Sequence, residues 1–260
     1  KMDIVTLSMI QRYLNSVVRN DLNEKMVFIG GPRQVGKTTF AKALHQESAT
    51  PYQYLNWDDR RDRKKILNYQ FDSEATCIIF DEIHKWKTWK NYLKGVYDTE
   101  KDKFHILVTG SARLDLYRRG GESLMGRYHY HLLHPLSVTE VMGKKMPNTA
   151  AQKLSFEKNP SLRSIFEQLF KYGGFPEPFT KQDDIVLKRW HQERLDRLMK
   201  DDIREVELIR DLTQLEILAD MLPERVGSPI SLNNLRQDLD VAHKTIKLWN
   251  LNNTSYLFDT

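Results

Sequence analysis

Oxidisable sulfur is nearly absent from this chain: its 260 residues include one cysteine, Cys77. A single thiol cannot build a disulfide framework, and Cys77 opens the apolar run Cys77-Ile78-Ile79-Phe80, which suits a reducing compartment. Long apolar runs are also missing. No stretch approaches the roughly 18 apolar residues of a membrane-spanning helix. The opening KMDIVTLSMIQRYL lacks the apolar core and small-residue cleavage site of a secretory leader. These absences give the expectation of a soluble, cytoplasmic protein with no membrane partner. The eight histidines lack metal-ligand spacing, and no nucleophile elbow or Cys–His pattern points to covalent catalysis. Nor is there a large excess of one charge: 40 Lys and Arg face 35 Asp and Glu, a net +5. Such a balance permits an acidic partner without demanding one. What is present is a globular composition. Hydrophobic residues at 40% and aromatics at 10% supply a core and exclude disorder.

The order of patterns along the chain is informative. Residues 3–22 place Ile10, Tyr13, Leu14, Val17 and Val18 at helical spacing, which predicts an amphipathic helix. Short apolar runs at 25–30, 52–57, 76–82, 103–111 and 127–133 read as five strands, with helical stretches between most of them. Strands alternating with helices predict a parallel sheet covered on both faces. After Pro135 the strand signal fades. GGFPEP at 173–178 reads as a turn-rich knot, and residues 185–222 are helical and densely charged, the charges forming a solvated face. Three regions are therefore expected: an α/β core over 1–140, a helical region over 141–222 and a small module over 223–260.

The chemistry centres on Gly31-Pro32-Arg33-Gln34-Val35-Gly36-Lys37-Thr38, a G-x-x-x-x-G-K-[ST] loop directly after a strand and opening a helix. Its glycines allow a tight turn in which successive N–H groups face phosphate oxygens, and the helix N-terminus adds partial positive charge. Residues 31–39, Thr39 included, are the expected nucleotide-binding set. Lys37 is expected to neutralise the β- and γ-phosphates, and the Thr38 hydroxyl to ligate Mg²⁺. Asp81-Glu82, ending the third strand, supply the second half of the site. Asp81 is expected to hold Mg²⁺ through water and Glu82 to polarise the attacking water. At the end of the fourth strand Ser111 is the first choice for a polar residue that senses the γ-phosphate, with Thr109 second. Neither a GTPase nor a small-molecule kinase fits. Thr180-Lys181-Gln182-Asp183 has the letters of a base-reading motif but follows GGFPEPF rather than a strand, and paired acids favour water as the nucleophile. ATP hydrolysis is the expected reaction, with ATP and Mg²⁺ as ligands.

Four blocks in order, GPRQVGKTT, FDEIHKWKTWKNYLKGVYD, ILVTGSARLDLYRRGGESLMGRYHYHLLHPLS and GGFPEP, resemble a prokaryotic group of AAA-family ATP-binding proteins. That group is related to archaeal ATPases and to the STAND branch of AAA+ proteins, and carries a C-terminal region of unknown function. The resemblance runs over residues 4–249. It implies an AAA+-like P-loop core with sheet order 5-1-4-3-2 and the site roles given above. Arg127, within the third block, is a candidate arginine finger for its own or a neighbouring nucleotide, and Arg113 a weaker one. His84, Trp86 and Trp89 follow the acids at spacings that suit a helix packed on the core.

Residues 228–250 read as a winged-helix-like helix-turn-helix. Ser231 caps the first helix, Leu232, Leu235 and Leu239 face inward, Asp240-Val241 turn, and Ala242 to Trp249 form the second helix. His243, Lys244, Thr245 and Lys247 would be its contacts if the module meets DNA. A lid or protein-interaction role is the other reading. The closing LNNTSYLFDT is too short for the strand pair and further domain that the resemblance implies, so the module is expected to be incomplete. Three functions follow for test: an ATP-driven conformational switch, a DNA-binding regulator or defence component that senses ATP, and a nucleotide-stabilised scaffold for an unknown protein partner.

Overall fold

Among the described residues two strands are buried from end to end, and they are the ones whose sequences stay apolar up to the last residue: Met26–Gly30 and Cys77–Asp81. A strand buried on both faces needs an unbroken apolar run rather than alternation, as in a parallel sheet covered by helices. The computed structural model describes residues 10–111, 114, 124–143, 161–197, 214, 217, 218, 221, 231–239 and 241. In chain order the elements of its first compact unit, residues 1–182, are α1 (Asn15–Leu22), β1 (Met26–Gly30), α2 (Lys37–Gln46), β2 (Tyr52–Asn56), α3 (Arg60–Leu67), β3 (Cys77–Asp81), a 3₁₀ turn (Ile83–Lys85), α4 (Trp89–Glu100), β4 (His105–Thr109), β5 (Tyr128–Leu132), α5 (Val138–Val141), α6 (Ser161–Tyr172) and α7 (Pro176–Lys181).

All five strands lie in one sheet of order β2-β3-β4-β1-β5, the expected 5-1-4-3-2 read from the other edge. Every pairing is parallel, with Ile29 opposite Thr109 and His131, and Asp81 opposite Asn56 and Thr109. The interior strands β1, β3 and β4 are buried apart from His105, and the edge strands β2 and β5 are mostly half-exposed. One face packs a continuous core in which Phe28, Phe80, Ile106 and Val108 meet Trp89, Tyr92, Leu93 and Val96 of α4. Phe28 sits between Trp89 and a stacked Tyr128, with ring centroids 5.9 and 4.5 Å away. Trp86 stacks on Trp57 at 4.9 Å, so Trp86 and Trp89 do pack on the core, though a 3₁₀ turn precedes the helix that the sequence placed there.

Two local expectations change. Helix α1 begins at Asn15, whereas the sequence spacing extended it back to residue 3; residues 3–9 lie outside the described residues. Residues 10–14 are not helical because their polar groups are engaged elsewhere: the Tyr13 N–H donates to Glu140 Oε1 at 3.0 Å, and the Asn15 N–H closes a turn on the Arg12 carbonyl. GGFPEP is half turn and half helix. Gly173 takes a left-handed φ of +72° and ends α6, and Pro176, whose missing N–H costs nothing at a helix start, opens α7. Phe175 and Phe179 are buried and the Leu136 N–H donates to the Gly174 carbonyl at 2.7 Å, all within the compact unit that runs to Gln182.

The second unit, residues 183–260, contains α8 (Asp184–Arg197) and α9 (Leu232–Asp238) among its described residues. Asp183 Oδ1 accepts from the Ile185 and Val186 N–H groups and so caps α8, a helix-start role for the aspartate whose letters imitate a base-reading motif. Ser231 Oγ caps α9 by accepting from the Asn234 N–H, and Leu235 and Leu239 are buried while Leu232 is half-buried. Asp240, the second helix and its candidate contacts His243, Lys244, Thr245 and Lys247 lie outside the described residues, as does Arg113.

Candidate nucleotide site

The carboxyl ends of parallel strands are where open α/β sheets place their ligands, and the expected site residues gather there. β1 ends at Gly30, and the loop that follows depends on backbone conformations that side chains disfavour. Gly31 has φ +144° with its Cα against the Leu133 carbonyl, Gln34 is left-handed at φ +65°, and Gly36 at φ +94° enters α2. Gly36 brings no side chain to cap the helix, which leaves the first N–H groups of α2 directed at the loop's concavity. Buried Phe40, Ala41 and Leu44 anchor α2 on the sheet. Lys37 is thereby held in the loop, its Nζ donating to the Gly31 and Pro32 carbonyls at 2.9 and 2.7 Å.

Beside the loop stands Asp81, the last residue of β3 and 5% exposed. Its carboxylate gathers three hydroxyls: Thr109 Oγ1 donates to Oδ1 at 2.6 Å, and Thr38 Oγ1 and the Tyr54 hydroxyl donate to Oδ2 at 2.8 and 2.6 Å. Thr38 and Asp81, assigned to the metal from sequence, are thus direct neighbours. Tyr54 is the residue sequence reasoning missed. It stands on the edge strand β2, its phenol is raised above its ordinary value by burial and by the Asp81 bond, and Lys42 covers its ring at 3.7 Å. The half-exposed Tyr-Gln-Tyr pattern of β2 carries no signal for this role, because the contact depends on the β2–β3 register.

Glu82 follows in a left-handed conformation, φ +56° and ψ +18°, unusual for a residue with a side chain. Its Oε2 lies 3.3 Å from Lys85 Nζ, which also pairs with Asp58 at 2.5 Å, and 3.7 Å from His84 Nε2. Burial raises the Glu82 carboxyl, an effect that Lys85 opposes and the nearby Asp81 reinforces. Ser111 is buried at the far side of this group, its Oγ 3.4 Å from His84 Nε2. Thr109, by contrast, is committed to Asp81.

Arg127 is not brought into this site. It precedes β5, so it stands at the amino ends of the strands, opposite the phosphate loop, where it forms a two-point ion pair with Asp98 of α4 at 2.8 and 3.2 Å. An arginine before a parallel strand and a ligand after it face opposite edges of the sheet.

A cavity of about 400 Å³ opens on the outer side of the loop. Ile10, Gly36, Thr39, Phe40, Leu136 and Pro176 contribute to its walls, which are mainly apolar. Among the described residues no group of three or more His, Cys, Asp or Glu is arranged to hold a metal, and no helix is long and apolar enough to cross a membrane.

Parts of this chain are similar to known proteins. Residues 23–142 match the AAA domain family, and residues 163–252 match a domain of unknown function. An uncharacterized protein of Methanocaldococcus jannaschii is 26% identical over 233 residues, which cover 84% of this chain and 52% of that protein. The chain therefore spans about half the length of this curated relative. Among solved structures, the RuvB Holliday junction branch migration motor of Thermotoga maritima is 16% identical, with 95% of this chain and 85% of that one covered and a TM-score of 0.42. The Aeropyrum pernix Orc1 protein, solved in complex with DNA, is 12% identical, with 95% and 81% covered and a TM-score of 0.37.

Proposed function

We propose that this chain, whose residues 23–142 match the AAA domain family, binds ATP with Mg²⁺ and hydrolyses it to drive a conformational switch. The observation that carries this reading is the Thr38–Asp81–Thr109 cluster beside the Lys37 loop at the carboxyl ends of the strands. Backbone N–H groups of residues 31–39, other than Pro32, which has none, bind the phosphates, and Lys37 exchanges its two carbonyl partners for β- and γ-phosphate oxygens. The cavity beside Gly36 and Thr39 receives the nucleoside.

The donor set fits a small hard cation: a threonine hydroxyl next to a carboxylate, few protein ligands and oxygens only. Thr38 Oγ1 and Asp81 would hold it, and when bound it neutralises charge on the β- and γ-phosphates. Tyr54 and Thr109 keep the Asp81 carboxylate in place. Glu82 accepts a proton from water as that water attacks the γ-phosphorus and ADP leaves, and its burial-raised carboxyl makes it a stronger base than an exposed one. Ser111 is the proposed sensor, next to His84 and beyond Glu82.

Steady-state ATP hydrolysis and ATP binding, measured for the wild type, Lys37→Ala and Glu82→Gln with and without duplex DNA, test the proposal. It expects binding lost in Lys37→Ala, and turnover lost with binding kept in Glu82→Gln. Turnover that survives Glu82→Gln would remove Glu82 as the base. Wild-type ATP binding no tighter than that of Lys37→Ala would remove the nucleotide site itself.

A further inference from the structure

Behind the phosphate loop lies a buried charge that the proposed reaction does not use. The Arg12 side chain is 8% exposed and that of Glu140 2%, and Arg12 Nε donates to Glu140 Oε1 at 2.8 Å. Arg12 Nη1 donates to the Val35 carbonyl at 3.1 Å, and Nη2 to the His134 carbonyl. Glu140 is saturated in turn. Its Oε1 also accepts from the Tyr13 N–H at 3.0 Å, and its Oε2 accepts from the Ser137 N–H and Oγ at 2.8 and 2.9 Å. One guanidinium thus joins three segments: the stretch before α1, the phosphate loop, and the chain leaving β5.

A buried ion pair is a poor device for stability alone, because desolvation offsets most of its attraction and an apolar pair of similar volume often serves as well. What an apolar pair cannot do is hold the Val35 carbonyl. Peptide units are planar and trans, so fixing that carbonyl toward Arg12 turns the Gly36 N–H the opposite way, toward the phosphate side of the loop. Val35 itself is fully buried, which leaves its peptide plane little other freedom. Arg12 also lines the cavity beside Gly36.

The geometry points to Arg12, held by Glu140, as a positioning residue that sets the Val35–Gly36 peptide for phosphate binding; this rests on the nucleotide site proposed above. The planar fork matters as well as the charge, since a lysine offers one nitrogen and cannot span three acceptors lying in different directions.

The test measures ATP affinity, KM, kcat and the nucleotide-free unfolding midpoint for wild type, Arg12→Lys and the double variant Arg12→Met/Glu140→Met. The double variant removes both charges together, so no buried charge is left unpaired. Arg12→Lys, which keeps a charge beside Glu140, is expected to hold its midpoint within a few degrees of wild type, and both variants to remain folded and to bind ATP about ten-fold more weakly or worse, the equivalent of about 1.4 kcal/mol. The loss should fall mainly on KM. Wild-type affinity in either variant would overturn the proposal. So would affinity lost in Arg12→Lys but restored in the double variant, because the carbonyl clamp is absent from both. A wild-type chain that binds no ATP would instead overturn the nucleotide site, and this proposal with it.

Discussion

Replacing Thr109 by valine tests whether the hydroxyls around Asp81 are structural supports of the site. Thr109 is fully buried at the end of β4, and its Oγ1 is 2.6 Å from Asp81 Oδ1. Valine has nearly the same shape, so packing against Ile29 and Asp81 across the sheet is kept. What disappears is a hydrogen bond to an ionised acceptor buried beside it. Such bonds contribute about 1.5–3 kcal/mol, and a buried acceptor that loses its donor bears the desolvation penalty. Tyr54 and Thr38 still serve Oδ2, so a loss of about 2 kcal/mol is expected. For a unit of this size that lowers the unfolding midpoint by roughly 4–8 °C. Thr109→Ser, which keeps the donor, should recover most of it. The assay is thermal unfolding by circular dichroism at neutral pH without nucleotide, followed by Mg²⁺-dependent ATP binding. A Thr109→Val midpoint within about 1 °C of wild type would refute the reasoning, since it would mean that the bond adds nothing to holding Asp81.

Two further perturbations follow. Burial lowers the His45 imidazole from 6.5 to about 4, with Arg19 and His105 adding to the effect. The folded state therefore binds this proton less well than the unfolded chain, and His45 contributes stability above about pH 6.5 that is lost as the pH falls toward 4. His45→Gln should flatten the pH dependence of the unfolding midpoint across that window, and an unchanged slope would count against it. Gly174→Ala places a Cβ 2.5 Å from the Leu136 carbonyl oxygen and 3.0 Å from the Leu136 nitrogen, both backbone atoms. About 1–3 kcal/mol of overpacking is expected, visible as a lower denaturant midpoint; a wild-type midpoint would show that the Leu136 backbone gives way freely.

The parts legible in the sequence were those set by local pattern. All five strands fall within their expected ranges, because apolar runs bounded by turn residues and helices leave few other readings. Lys37, Thr38, Asp81 and Glu82 meet because each is tied to the end of a strand, and strand ends in a parallel sheet share one edge. The sheet order came from the family resemblance and held. What escaped was set by contacts between distant segments. Tyr54 reaches Asp81 only through the β2–β3 register, and Arg12 meets Glu140 only once the chain has returned past β5. The interruption of the expected N-terminal helix at residues 10–14 escaped because spacing cannot reveal that the Tyr13 N–H is engaged by a distant carboxylate. Arg127 was weighed as a finger for its own nucleotide as well as a neighbour's, and the first of these lacked one geometric step: a residue before a parallel strand lies at the edge away from its own chain's loop.

The strand order also has a consequence for how the molecule is made. β1, which carries the phosphate loop, has β4 and β5 as its neighbours, so its pairing partners are synthesised long after it. Pairing Ile29 with Thr109 closes a long loop of chain before any of that entropy is recovered. The lysine loop therefore leaves the ribosome early but cannot acquire its Asp81–Thr109 wall until β3 and β4 have followed. Synthesis stalled before β4 should yield a nascent chain that contains the whole phosphate-loop sequence and has no affinity for ATP.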